Sequence, residues 1–204
     1  MLPLEPTGND PMLARKIIAV EWQGAVLYPA GYDVSRIEVD ATLRLPAGWQ
    51  HASALRPASA IGDELRFERV SLETLVDSPV FAGRQFKRVD LDPGSAQPVF
   101  LDLFAEDGAS LEATEAQMDA HRDLVRQADR LFGARHLAHY DLLLALGEYP
   151  MHLGLEHHQS SENSVKSGYF KDWSKKRGRA HPGAARIHAL LERQVSKAAR
   201  PLGT

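Results

Sequence analysis

The stretch Gly154-Leu155-Glu156-His157-His158-Gln159-Ser160-Ser161-Glu162-Asn163 sets a glutamate between a glycine-led apolar step and a run of polar side chains. A carboxylate fixed at the edge of a cleft can hold an incoming ammonium through charge-assisted hydrogen bonds. A glutamate near a strand end can equally be ordinary solvated surface. Gly154 would let a second backbone approach closely, or would mark a simple bulge. His157, His158, Gln159 and Asn163 read either as polar groups that orient a peptide or as a solvated loop. The chain has no cysteine, which excludes a disulfide framework and a thiolate zinc site and restricts any metal to histidine and carboxylate ligands.

The elements that must position these residues are legible from periodicity. Ile37, Val39, Ala41, Leu43 and Leu45 alternate with Glu38, Asp40, Thr42 and Arg44, a period of two that puts one face on a core and the other in water. Further short runs at Leu65 to Val70, Phe86 to Leu91 and Val99 to Phe104 are separated by Gly, Pro and Asp turns, as in a sandwich of antiparallel strands. Trp22, Tyr28, Tyr32 and Trp49 are expected to pack inside it. The period then changes. Thr114 and Gln117 form a capping box, and Met118, Leu124, Val125, Ala128, Leu131 and Phe132 make the apolar stripe of a helix ending at Gly133. His121 sits on that stripe, where a tolerated boundary histidine is expected rather than a ligand. From Asp141 the chain is strand again, and Leu142 to Leu146 are apolar on both faces, as in a strand covered on two sides.

The glutamate segment, together with Leu75-Val76-Asp77-Ser78-Pro79-Val80-Phe81-Ala82-Gly83-Arg84, His139-Tyr140-Asp141-Leu142-Leu143-Leu144-Ala145-Leu146 and Tyr169-Phe170-Lys171-Asp172-Trp173, resembles the glycyl aminopeptidase family of zinc metallopeptidases. The resemblance implies an α+β chain: an N-terminal antiparallel β-sandwich-like domain followed by the truncated start of a thermolysin-like α/β catalytic domain. The corresponding division is a disordered N-terminus (1–15), the β-sandwich domain (16–110), the beginning of the catalytic domain (111–175) and a basic tail (176–204). It further implies that Glu156 holds the ammonium of a peptide substrate, with Gly154, His157 and Asn163 beside it, and that an N-terminal Gly or Ala is removed. Zinc is the cofactor in that family.

After about Lys175 the resemblance stops, and the zinc chemistry stops with it. Such a peptidase needs H-E-x-x-H on a helix, two histidines on the metal and a glutamate as general base. The 204 residues contain no such motif. His181 and His188 have the wrong spacing, with Pro182 and Gly183 between them, so the sequence assigns no catalytic residue, no metal ligand and no cofactor within the chain. Residues 1–170 hold 15 Lys and Arg against 25 Asp and Glu, a net of −10, whereas residues 171–204 hold 9 against 2, a net of +7. The tail is dominated by Ala, Arg, Gly and Pro, whose codons are GC-rich. Read one base forward, the codon junctions from Ala185-Arg186 to Ala198-Ala199 permit H-E-Y-T-H-S-W-N-G-K-F-R-R-P without exception, the string expected at this distance after the glutamate segment. The tail therefore reads as out of frame.

A basic tail near Tyr169 and Trp173 also invites a nucleic-acid reading. No recognised nucleic-acid fold accompanies it and the rest of the chain is acidic, so no nucleic-acid partner is expected. No run of 18 apolar residues spans a bilayer. Met1 to Pro11 carries acids and three prolines where a signal peptide has a cationic start and an apolar run. Members of the resembling family are commonly exported, so the expectation is a reading frame that opens inside a longer gene, with the compartment left open. The alternative function is a non-catalytic peptide-binding module built on the β domain and the Glu156 strand. Without partner helices, Leu142 to Leu146 should be partly uncovered, and proteolysis should leave a fragment ending near Ala105 to Leu111.

Overall fold

The structure is a computed structural model that describes residues 16–133, 135, 137–147 and 154–173. The expected disordered N-terminus (1–15) and the basic tail (176–204), with His181 and His188, lie outside those residues.

Short alternating runs give short strands. The period-two stretch from Ile37 to Leu45 keeps its two faces, with Ala41 and Leu45 buried and Glu38, Asp40, Thr42 and Arg44 exposed. It is not one strand, however. After β1 (Ile17–Val20), the chain bends between β2 (Glu38–Val39) and β3 (Thr42–Arg44), which join different sheets. There follow β4 (Gln50–Ala52), β5 (Pro57–Ile61), β6 (Glu64–Phe67), β7 (Val70–Ser71), the one-turn helix α1 (Leu72–Val76) and β8 (Val80–Gly83). These make three small antiparallel sheets, ordered β1-β8-β4, β2-β7 and β3-β6-β5. Trp22, Leu55, Leu65, Phe67, Leu72, Leu75 and Val80 form the core between them. Trp22 stands edge-on to Phe67, centroids 6.1 Å apart, and its Nε1–H donates to the Ser78 carbonyl at 2.9 Å. Trp49 is half-buried, whereas Tyr28 and Tyr32 are exposed. The packing role expected of those two tyrosines is not met, because they lie on a connection with no strand to turn them inward.

The strands β9 (Gln85–Asp90), β10 (Val99–Ala105), β11 (Tyr140–Leu146), β12 (Gly154–Glu156) and β13 (Ser160–Val165) build a five-stranded mixed sheet, ordered β12-β13-β11-β10-β9. The three central strands run parallel and both edge strands antiparallel to their neighbours. Parallel pairing of β10 with β11 requires a crossover, which helix α2 (Glu115–Phe132) supplies. Its capping box forms as the sequence requires: Gln117 N–H donates to Thr114 Oγ1 at 3.3 Å, and Thr114 N–H donates to Gln117 Oε1 at 2.7 Å. Gly133 closes the helix in the left-handed conformation, φ 69°. The boundary expected after residue 110 falls inside this sheet, since β9 and β10 lie before it and β11 to β13 after it.

Register decides which face each side chain covers. Leu101, Leu103, Leu142 and Leu144 point to the α2 side, where Met118, Val125, Tyr169 and Phe170 complete the core. Phe104, Leu143 and Ala145 point the other way and meet Ile17, Ala52 and Phe81 from the N-terminal sheet. Leu142 to Leu146 are thus 0–3 % exposed. The expectation that they would lack cover is corrected: the β1-β8-β4 sheet supplies one side and α2 the other. Leu131, expected in the helix stripe, is exposed, and His121 is buried rather than peripheral. Its Nδ1 lies 2.7 Å from the Gln117 carbonyl and its Nε2 lies 3.1 Å from the Tyr169 hydroxyl, so both ring nitrogens are satisfied inside the core. Among the described residues no helix is long and apolar enough to cross a membrane.

Candidate functional site

Three of the four residues singled out around the glutamate share one side of the sheet edge. Gly154 pairs with Asn163 and Glu156 with Ser161. Side chains alternate along a strand, so Gly154, Glu156, Ser161 and Asn163 lie on the α2 side, while Leu155, His157 and Glu162 belong to the other. β12 is an edge strand, with β13 on one flank and no strand on the other among the described residues. Glu156 is half-buried at its end and has no hydrogen-bond or ion-pair partner among the described residues. Asn163 is buried, and its Nδ2 lies 2.9 Å from Ser161 Oγ and 3.3 Å from the Leu143 carbonyl. It braces β13 against β11.

His157 is drawn to the opposite side. Its Nε2 donates to Glu162 Oε1 at 2.6 Å and its Nδ1 faces Asp77 Oδ1 at 3.3 Å. The backbone N–H of His158 donates to the other Asp77 oxygen at 2.7 Å. Burial pushes the imidazole toward the neutral form, but hydrogen bonds and charge from Asp77 and Glu162 outweigh it and hold the His157 pKa at about 9. Asp77 is pushed up by burial, yet the His157 and His158 contacts hold it below the usual carboxylate value. Glu21 completes the cluster. Burial, then a hydrogen bond with Glu162, raise its pKa to about 7, while Gln23 Nε2 donates to its Oε2 at 2.9 Å. The cluster ties the end of β12 to the N-terminal unit.

A second polar centre lies on the same side of the sheet, at β9 to β11. Arg88 donates from Nε and Nη2 to the two oxygens of Asp102, at 2.7 and 2.8 Å, and from Nη2 to Asp141 Oδ1 at 2.6 Å. His139 Nδ1 meets Asp141 Oδ2 at 2.6 Å. Asp102 is wholly buried, and burial together with the Asp141 charge raises its pKa to about 6 against the pull of Arg88. Neither polar centre emerges from the sequence reading. The signal for the second was present, because Asp102 interrupts the apolar run Val99 to Phe104 and an aspartate inside a buried strand is almost always paired.

Among the described residues no group of three or more His, Asp or Glu side chains is arranged to hold a metal ion.

Residues 4–84 match the family model described as the Peptidase M61 N-terminal domain. No curated protein matches the chain. Among solved structures, the aminopeptidase N family protein from Idiomarina loihiensis is similar over 88% of this chain and 30% of its own, with a TM-score of 0.59 and 14% identity. A two-domain M1 zinc metallopeptidase variant bound to L-arginine aligns at TM-score 0.43 and 16% identity, over 77% of this chain and 33% of its own. An M1 zinc metallopeptidase from Deinococcus radiodurans aligns at TM-score 0.38 and 16% identity, over 62% and 29%. The chain thus spans about a third or less of the solved proteins it aligns with. Over residues 4–84 the chain is thus similar to the Peptidase M61 N-terminal domain, and its β-rich fold resembles that of the aminopeptidase N family protein.

Proposed function

We propose that the chain carries the substrate-facing edge of a zinc-dependent aminopeptidase and that Glu156 holds the free ammonium of a peptide laid along β12. The observation that carries this reading is a half-buried carboxylate at the end of an edge strand, where, among the described residues, the carboxylate has no partner and the strand's outer flank has no neighbouring strand. Such a flank can accept an extended peptide by strand addition, and a carboxylate at its end then selects chains that begin there. Gly154 supplies close backbone approach; His157, bound to Asp77 and Glu162, and Asn163, bound to Ser161, hold β12 and β13 in place. The family match at residues 4–84 supports a peptidase setting, and the resemblance of the glutamate segment points to an N-terminal Gly or Ala. In the same reading the sheet from β9 onward is the start of a thermolysin-like catalytic domain.

Hydrolysis needs a metal-bound water and a general base, and the 204 residues lack H-E-x-x-H. We read the chain as translated as binding peptide without cleaving it, the zinc motif lying in the forward frame of the DNA beneath residues 185–199. Redetermining that DNA tests the frame: a stop codon before the W-N-G-K string, or other residues at the two histidine positions, overturns it. For the anchor, titration of the 204-residue chain with a glycyl peptide should show saturable binding that Glu156→Gln weakens about tenfold or more, the loss of one charge-assisted contact. Equal affinity of the two proteins would return Glu156 to ordinary surface. The alternative, a non-catalytic peptide-binding or interaction module, is favoured by the missing motif alone, and an uninterrupted forward frame would count against it.

A further inference from the structure

A cavity of about 360 Å³ opens where the turn after β4 faces the first residues of β10 and β11, between the N-terminal unit and the five-stranded sheet. That volume is at the lower end of small-molecule sites, roughly 300–1,000 Å³. Its polar lining comes from His51, Arg56, Arg88, His139 and Asp141, and its apolar walls include Phe100 and Pro98.

Hydrogen-bonding capacity decides what it can take. Both oxygens of Asp102 are occupied by Arg88, and the two of Asp141 by Arg88 and His139. All four of those oxygens therefore already face a donor. Nη1 of Arg88 and the guanidinium of Arg56, by contrast, have no hydrogen-bond partner among the described residues. An arginine fork is planar and offers five donors. Here the guanidinium lies 4.6 Å above the Phe100 ring, a cation–π contact that fixes its plane. Nε and Nη2 are engaged by the two buried carboxylates, which fix the guanidinium and leave Nη1 already held in place.

We propose that this cavity is a binding site for a small organic carboxylate with an apolar body of about the size of benzoate. The carboxylate oxygens take the free donors of Arg88 and Arg56, and the body lies against Phe100 and Pro98. The apolar walls favour an organic carboxylate over an inorganic anion, and the unpartnered guanidinium of Arg56 disfavours amines. The cavity lies on the opposite side of the sheet from Glu156, so the inference stands apart from the peptide reading.

Calorimetric titration of the 204-residue chain with sodium benzoate tests it, with benzylamine and inorganic phosphate as comparison arms. Saturable one-to-one benzoate binding is expected, with benzylamine failing to bind and phosphate at least about tenfold weaker. Arg56→Glu, at an exposed position, should weaken benzoate by about tenfold or more with unchanged circular dichroism. Ala96→Trp, which fills the mouth without touching a charge, should abolish binding, and Glu156→Gln should leave it unchanged. Arg88 is left intact, since removing it strands Asp102 as a buried unpaired carboxylate. Absence of saturable benzoate binding, benzylamine binding more tightly, phosphate equalling benzoate, or Arg56→Glu binding like the parent would each overturn the assignment.

Discussion

Glu156 and His157 are adjacent in sequence and differ in every physical respect that matters here. Glu156 points to the helix side with no partner among the described residues, whereas His157 is clamped between Asp77 and Glu162 on the far side. Alternation along β12 separates them. The clamp makes the chain's stability sensitive to pH in a definite direction. The His157 pKa is raised from 6.5 to about 9, so its contribution is complete below 6.5 and lost as pH climbs through 9. Glu21 is raised from 4.5 to about 7, so its contribution is present below 4.5 and lost as pH rises through 7. Asp77, lowered from 3.8, works oppositely and matters only in acid. His51 and His121, lowered from 6.5 by burial, work the other way up to 6.5, so the melting temperature should fall as pH is raised from 6.5 to 9, and Glu21→Gln should lessen the loss contributed between 4.5 and 7. A profile that rises from 6.5 to 9, or one that Glu21→Gln leaves alone, would contradict the coupling of these groups through the cluster. The glutamate, glycine and asparagine lie on one side of the sheet edge because they occupy one short paired segment. Asp77 and Glu21, which lie 80 residues or more from His157, were not legible in the sequence, since nothing in local spacing reports a contact of that range.

At the scale of elements, local signals read true where one segment decides its own structure. The helix cap at Thr114 and the stop at Gly133 fall where the sequence puts them. Thr114→Ala should cost about 1 kcal/mol of stability, the usual cost of losing such a cap, measured by denaturant unfolding; no change would mean that tertiary contacts alone hold the helix end. Strand membership was less legible. Val99 to Phe104 has the pattern of a sandwich strand, yet β10 pairs in parallel with β11, a choice made by the α2 crossover and not by the strand's own residues. The close approach of β8 to β1 and the large sheet depends on Gly83. A Cβ there would sit 2.9 Å from the Lys16 carbonyl and 3.3 Å from Phe104 Cδ1. Gly83→Ala should destabilise by about 1–3 kcal/mol, as overpacking does. Wild-type stability in that variant would mean that β1 is free to move away.

For the whole molecule, the side chains of Ile17, Ala52, Phe81, Phe104, Leu143 and Ala145 form one core shared by the N-terminal sheet and the five-stranded sheet. A cut after residue 110 would divide the larger sheet and expose Leu143 and Ala145. Limited proteolysis should accordingly yield a resistant core reaching from about residue 16 to about residue 173, with unfolding in a single transition. A stable fragment ending near residue 105 would show instead that the two sheets fold separately. Metal analysis of the same preparation should find zinc well below one per chain after dialysis, because a competent site needs three protein ligands. Stoichiometric zinc that resists dialysis would contradict the reading of the chain as translated.

The central claim is that the sheet edge at Glu156 recognises a free amino terminus, and the most direct measurement compares one glycyl peptide with its N-acetylated form by calorimetric titration of the 204-residue chain. Acetylation removes the ammonium and leaves the strand-pairing backbone intact. The account predicts that the free-amine peptide binds about tenfold or more tightly than the acetylated one, and that Glu156→Gln abolishes the difference. Equal affinities for the two peptides, or a preference that survives Glu156→Gln, would contradict it.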